Sequence, residues 1–139
     1  MSKEDGLTFA LAGLVAFLVS TAWYAAFGTG LLEKAFWFYA ANAFLVGGAV
    51  VFLFHVAARL RRLPRRRRPL AAAVFAAPGL LGAAIMLMLF KDIFPQWDPV
   101  SLGRYGAFIL LGDALLAGVA LDRSRARAAG ATTAASRAR

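Results

Sequence analysis

One acidic side chain lies deep inside an apolar run. Asp113 sits near the middle of residues 100–121, a stretch long enough to cross a bilayer as a helix. A carboxyl at that depth costs about 2.5–3.5 kcal/mol on insertion scales, so such groups face a partner or a water-filled cavity rather than lipid. Two chemistries fit this position. Asp113 is a proton or cation site that alternates between charge states, or it is a hydrogen-bonded clamp between helices. Asn42 in the second apolar stretch, and Ser20 and Thr21 in the first, lie at similar depth and are its candidate partners. Asp113, Asn42, Ser20 and Thr21 thus form a candidate intramembrane polar site. The plainer alternative is ordinary interhelical hydrogen bonding, worth about 0.6 kcal/mol on average in membrane proteins. Arg104 stands nine residues before Asp113. That is roughly 13 Å along a helix, too far for a direct pair.

Other residues offer less. His55, the one histidine, lies about a turn from the end of the second stretch. It could supply one ligand to a haem or metal, and the second would have to come from elsewhere; the alternative is an interfacial histidine near Arg59 and lipid headgroups. The absence of cysteine excludes a disulfide framework, thiolate metal sites and a cysteine nucleophile. There is no His/Asp/Glu metal cluster, phosphate-cradling glycine loop or nucleophile elbow, so neither metal, cofactor nor enzymatic activity is expected. Pro78-Gly79 predicts a kink in the third stretch, because proline removes an intrahelical hydrogen bond and glycine weakens the segment. Transporters use such breaks to expose backbone to ions, but both residues are ordinary in membrane helices.

The elements that must position these groups are helices. Apolar runs at about 6–27, 35–58, 70–90 and 100–121 each reach the roughly 20 residues that span a bilayer. None alternates with period two, and a helix satisfies its own backbone in lipid where an open sheet cannot. The fold class is therefore all-α, a polytopic membrane protein built as a four-transmembrane-helix bundle over residues 1–121. Composition agrees. Of 139 residues 61% are hydrophobic, and mean hydropathy is +0.68, which excludes both a disordered chain and a soluble nucleic-acid binder despite the net charge of +9. Gly28-Thr29-Gly30 is expected to break the first helix, and Asp98-Pro99 suits a helix start. Residues 122–139 turn to Ala, Arg, Ser, Thr and Gly and read as a frayed, basic, low-complexity cytoplasmic tail.

Charge sets the orientation. Thirteen of sixteen cations, including Arg59, Arg61, Arg62, Arg65, Arg66, Arg67 and Arg68, fall on one side of this arrangement, and Lys34, Lys91 and Arg104 fall on the other. The positive-inside rule then places both termini and the arginine loop in the cytoplasm, in a bacterial inner membrane. All of the Trp and Tyr (Trp23, Tyr24, Trp37, Tyr39, Trp97, Tyr105) cluster at the opposite helix ends, which predicts an outer aromatic belt. Met1 to Asp5 carries one Lys against two acids ahead of a long apolar run, so insertion without cleavage is expected. The arginines are read as a topology signal and as cations for anionic lipid, each gaining about 1 kcal/mol near a negative leaflet; without interleaved aromatics they do not suggest nucleic acid.

Small residues recur four apart at Ala12/Ala16/Ser20, Ala43/Gly47, Gly79/Ala83, Gly103/Ala107 and Ala114/Gly118. Such grooves allow close helix approach within a bundle, a homodimer or a larger membrane complex. Two functions follow: a structural or accessory, self-associating membrane protein, or a small transporter or permease-like protein using Asp113 with Asn42 and Ser20/Thr21.

Several features run through most of the chain in one order. They are a Gly6-Leu7 start with Ser20-Thr21 in the first span, Pro78-Gly79 early in the third, and Phe94-Pro95-Gln96-Trp97-Asp98-Pro99 before the fourth. Gly103 to Ala107 then opens a last helix that reaches Leu115-Leu116. In this the sequence resembles a bacterial domain-of-unknown-function family, number 5367, of small four-helix integral membrane proteins. The resemblance implies the fold and carries no activity. It also implies an aromatic residue more often than an acid at position 113, which makes Asp113 a departure. The small multidrug exporters fit badly, since they need a Glu in the first span, where this chain has no acid.

Overall fold

The computed structural model describes the backbone of residues 2–28, 34–95 and 97–137, and the side chains of these except 90, 91 and 122–137. The chain forms α1 (Lys3–Phe27), α2 (Phe36–Leu60), α3 (Arg68–Met88), a single turn α4 (Phe90–Ile93) and α5 (Pro99–Arg137), with a 3-10 turn at Arg65–Arg67 before α3. Among the described residues there is no strand. Four of these helices are long and apolar enough to cross a membrane. Of Gly28-Thr29-Gly30 only Gly28 is described, closing α1 in right-handed helical geometry; Thr29, Gly30, Glu33 and Gln96 lie outside the described residues.

Local signals explain the helix ends. α1 starts three residues before the apolar run because Ser2 caps it: its hydroxyl accepts from the Asp5 N–H at 3.1 Å, and the Asp5 carboxylate accepts from the Ser2 N–H at 3.3 Å. α2 ends in a Schellman motif. Leu63 N–H donates to the Ala58 carbonyl and Arg62 N–H to that of Arg59, while Arg62 adopts φ 48°, the left-handed conformation usually given to glycine. α3 opens on Arg68-Pro69 and runs unbroken through Pro78, whose missing N–H leaves the Val74 carbonyl without its intrahelical donor. α5 continues to Arg137, where the composition had suggested a frayed tail. Alanine and arginine are among the best helix formers, which is the physical reason.

The hairpins α1–α2 and α3–α5 stand side by side. α1 packs chiefly on α3, α2 on α5, and α3 on α5, with α1 and α2 in looser contact and α1/α5 and α2/α3 across the diagonals. Two packed layers fill the bundle. At the arginine end lie Phe9, Phe54, Phe75, Leu63 and Leu116 with small alanines. At the other end Tyr24, Tyr105, Phe108 and Ile109 surround Ala43 and Ala83. This second layer corrects the expected belt. Tyr24 is fully buried, 5.4 Å from Tyr105, 5.2 Å from Phe108 and 5.7 Å from Trp97 between ring centroids, so these rings plug the bundle end, while Trp37 is 80% exposed and faces outward. Residue type and helix-end position fit both roles, because a belt and a plug occupy the same height.

Candidate intramembrane site

Between the two layers the helix faces turn to glycine. A Cβ on Gly13 of α1 would overlap the Phe75 carbonyl of α3, so the two backbones touch there. On the other side Gly47 of α2 meets Gly112 of α5, where a Cβ on Gly47 would lie 3.4 Å from the Gly112 Cα. These two crossings flank a central cavity of about 30 Å³ lined by Ser20, Gly47, Gly79 and Asp113 among others. A water needs about 10–15 Å³ of such volume, so the space suits one or two waters or a small cation.

Asp113 points into this cavity. Its Oδ2 is buried and has no hydrogen-bond partner among the described protein atoms. Gly79 borders the carboxyl: a Cβ there would stand 4.0 Å from Asp113 Oδ2 and 3.8 Å from the Phe17 Cβ, both ordinary contact distances. Ser20, 7% exposed, lines the same cavity from α1. A half-buried carboxyl with one buried, open acceptor oxygen and a hydroxyl on the same wall can hold a proton, a water or a cation.

The rest of the expected constellation is placed elsewhere. Asn42 is buried, but it does not line the Asp113 cavity; its Oδ1 accepts from Trp23 Nε1 at 3.1 Å and its Nδ2 is buried without a partner. Thr21 Oγ1 and Tyr105 OH share a hydrogen bond of 2.8 Å. Depth along a helix can be read from sequence, but the direction around the axis cannot when apolar residues cover every face. Trp23 and Tyr105 were therefore missed as polar partners. Gly13 and Gly112 were missed as the close-approach residues, although Gly112 beside Asp113 was a usable signal.

At the arginine end one cation has another role. Arg61 donates from Nε to Asp5 Oδ1 at 2.9 Å, and its terminal nitrogen lies 2.8 Å from Asp5 Oδ1 and 3.7 Å from Glu4 Oε2. Arg61 thus joins the start of α1 to the end of α2 instead of serving only as a lipid or topology cation. Arg59, Arg62, Arg65, Arg66 and Arg67 are exposed, and Arg68 is half-buried with its Nε unpartnered. His55 Nδ1 donates to the Val51 carbonyl at 2.9 Å, which engages that ring nitrogen.

A family model described as "Family of unknown function (DUF5367)" matches residues 31–125. That segment contains α2, α3, α4 and the apolar part of α5, with Asn42, Pro78, Gly79 and Asp113 inside it and Ser20 and Thr21 outside. No curated protein and no solved structure matches the chain.

Proposed function

The chain belongs to DUF5367, a family of unknown function, and we propose that it is a non-enzymatic, self-associating or accessory subunit of the bacterial inner membrane, with both termini in the cytoplasm. The outward face of α5 carries this reading. Ala107 and Ala114 are exposed there, and open space lies over the missing side chains of Gly103 and Gly118. Two four-residue steps of small residues thus point away from the bundle, while Ala16, Ser20, Ala43, Gly47, Gly79 and Ala83 point into it. Small outward faces let a second helix approach closely, the arrangement used by associating membrane helices. The measurement is molar mass by light scattering after purification in mild detergent, with identification of co-purifying proteins. A homo-oligomer that Gly118→Leu converts to a monomer, or a stoichiometric membrane partner that the same variant releases, is expected. A wild-type monomer without a partner overturns the proposal.

Asp113 favours a second reading. A structural clamp would pair its carboxyl oxygens, and Oδ2 is buried without a partner. Under this reading the chain is a small permease-like protein in which Asp113 and Ser20 hold a cation or proton. The hairpin arrangement offers it no help from symmetry: α1 and α3 are neighbours, whereas a two-fold axis along the bundle would put them on a diagonal.

A further inference from the structure

We propose that the groove between α1 and α2 admits an amphiphilic amine from the lipid phase, whose nitrogen reaches Asp113; this rests on the second reading above and names the ligand class of that site. α1 and α2 are the loosest of the adjacent pairs, and between them a groove of about 330 Å³ opens on the outer surface. Its walls are Val15, Val19 and Trp23 on α1 and Leu45, Ala49 and Leu53 on α2. The volume falls in the range of about 300–1,000 Å³ typical of small-molecule sites.

The groove and the central cavity share a floor. Ala16, Ser20, Val46 and Val50 line both, so one layer of mostly small side chains separates the lipid-facing groove from Asp113. The two compartments want different halves of one molecule. The groove is almost wholly apolar and takes a hydrocarbon chain; the cavity presents an unpartnered carboxyl oxygen and the Ser20 hydroxyl, and takes a hydrogen-bond donor of positive charge. A lipid acyl chain fills the first and leaves Oδ2 unsatisfied. An inorganic cation satisfies the second and gains nothing from the groove. An amine on an apolar tail does both, and its ammonium compensates the carboxylate where either charge alone is costly. Trp23 on the groove wall adds an aromatic face that attracts a cation in transit.

The test uses the full chain in zwitterionic lipid nanodiscs. Dicyclohexylcarbodiimide, a hydrophobic carboxyl reagent, is added, and modification at Asp113 is followed by peptide mass spectrometry. Nonylamine at ten times its half-protecting concentration should slow modification about tenfold, as simple occupancy requires. Nonanol, sodium and potassium should leave the rate unchanged. Equal protection by nonanol overturns the proposal, because the tail alone then accounts for it. Protection by sodium or potassium without nonylamine overturns the proposal and leaves the cation-site reading standing. No protection by any cation removes both. A carboxyl that the reagent never modifies also overturns it, since a groove open to the amine is open to the reagent. A photoreactive nonylamine should in addition label the α1 and α2 groove walls in the wild type and lose that labelling in a folded Asp113→Asn variant.

Discussion

Arg62 holds a backbone conformation that costs an L-residue roughly 1–2 kcal/mol, and it does so to complete the hydrogen bonds that end α2. Glycine carries no such penalty, though it loses more freedom on folding. Arg62→Gly should therefore stabilise the protein by about 0.5–1 kcal/mol, read as a higher unfolding midpoint in detergent micelles. Asp113 belongs to the same scale. Its place inside an apolar run was legible because charge is conspicuous there, and the run's length fixed its depth. Its company was not legible. Asn42 and Thr21 are bonded to Trp23 and Tyr105, two residues whose type suggested an interface with lipid headgroups. An aromatic ring with a polar tip serves a bundle interior equally well, provided that the tip finds a partner.

At the scale of helices, glycines decide how closely the hairpins dock. Gly13 lies against the Phe75 backbone, where no side chain can move aside, whereas Gly48 has open space where a Cβ would be. Gly13→Val should cost about 1–3 kcal/mol through forced separation of α1 and α3. Gly48→Val should change stability by at most about 0.5 kcal/mol. Parallel unfolding curves for the two variants would check the contrast, and an equal effect would contradict the packing described. The number, type and approximate extent of the helices were readable from apolar run length alone. Which small residues face inward was not. Ala43/Gly47 and Gly79/Ala83 are interior, and Gly103/Ala107 and Ala114/Gly118 are exterior, yet all four pairs have the same spacing in helices apolar enough to span a membrane. In water an amphipathic pattern would separate them; in lipid both faces are greasy.

At the scale of the molecule, only 22–33% of the most apolar window of each span is buried inside the bundle. Leu18, Phe44, Phe52, Leu81 and Leu110 are among the large side chains left outside. No aqueous protein tolerates such a continuous girdle, and the hydrocarbon of a bilayer covers it. The sides of that bilayer are a matter of charge. In the proposed orientation, a green fluorescent protein fused after Arg139 should fluoresce and alkaline phosphatase fused there should be inactive, because the positive-inside rule assigns the side that carries thirteen cations to the cytoplasm. The opposite pattern would reverse the proposed orientation without disturbing the bundle.

The contact of Arg61 with Asp5 and Glu4 also bears on the order of biogenesis. Chains are made from the N-terminus, and units fold as they emerge. Once Arg61 has left the ribosome, α1 and α2 carry a clasp at each end, Arg61 with Asp5 at one and Trp23 with Asn42 at the other. The first hairpin can therefore close in the translocon before α3 has emerged from the ribosome. The second hairpin then meets a finished surface, and the Gly13 and Gly47 crossings become docking steps between preassembled halves.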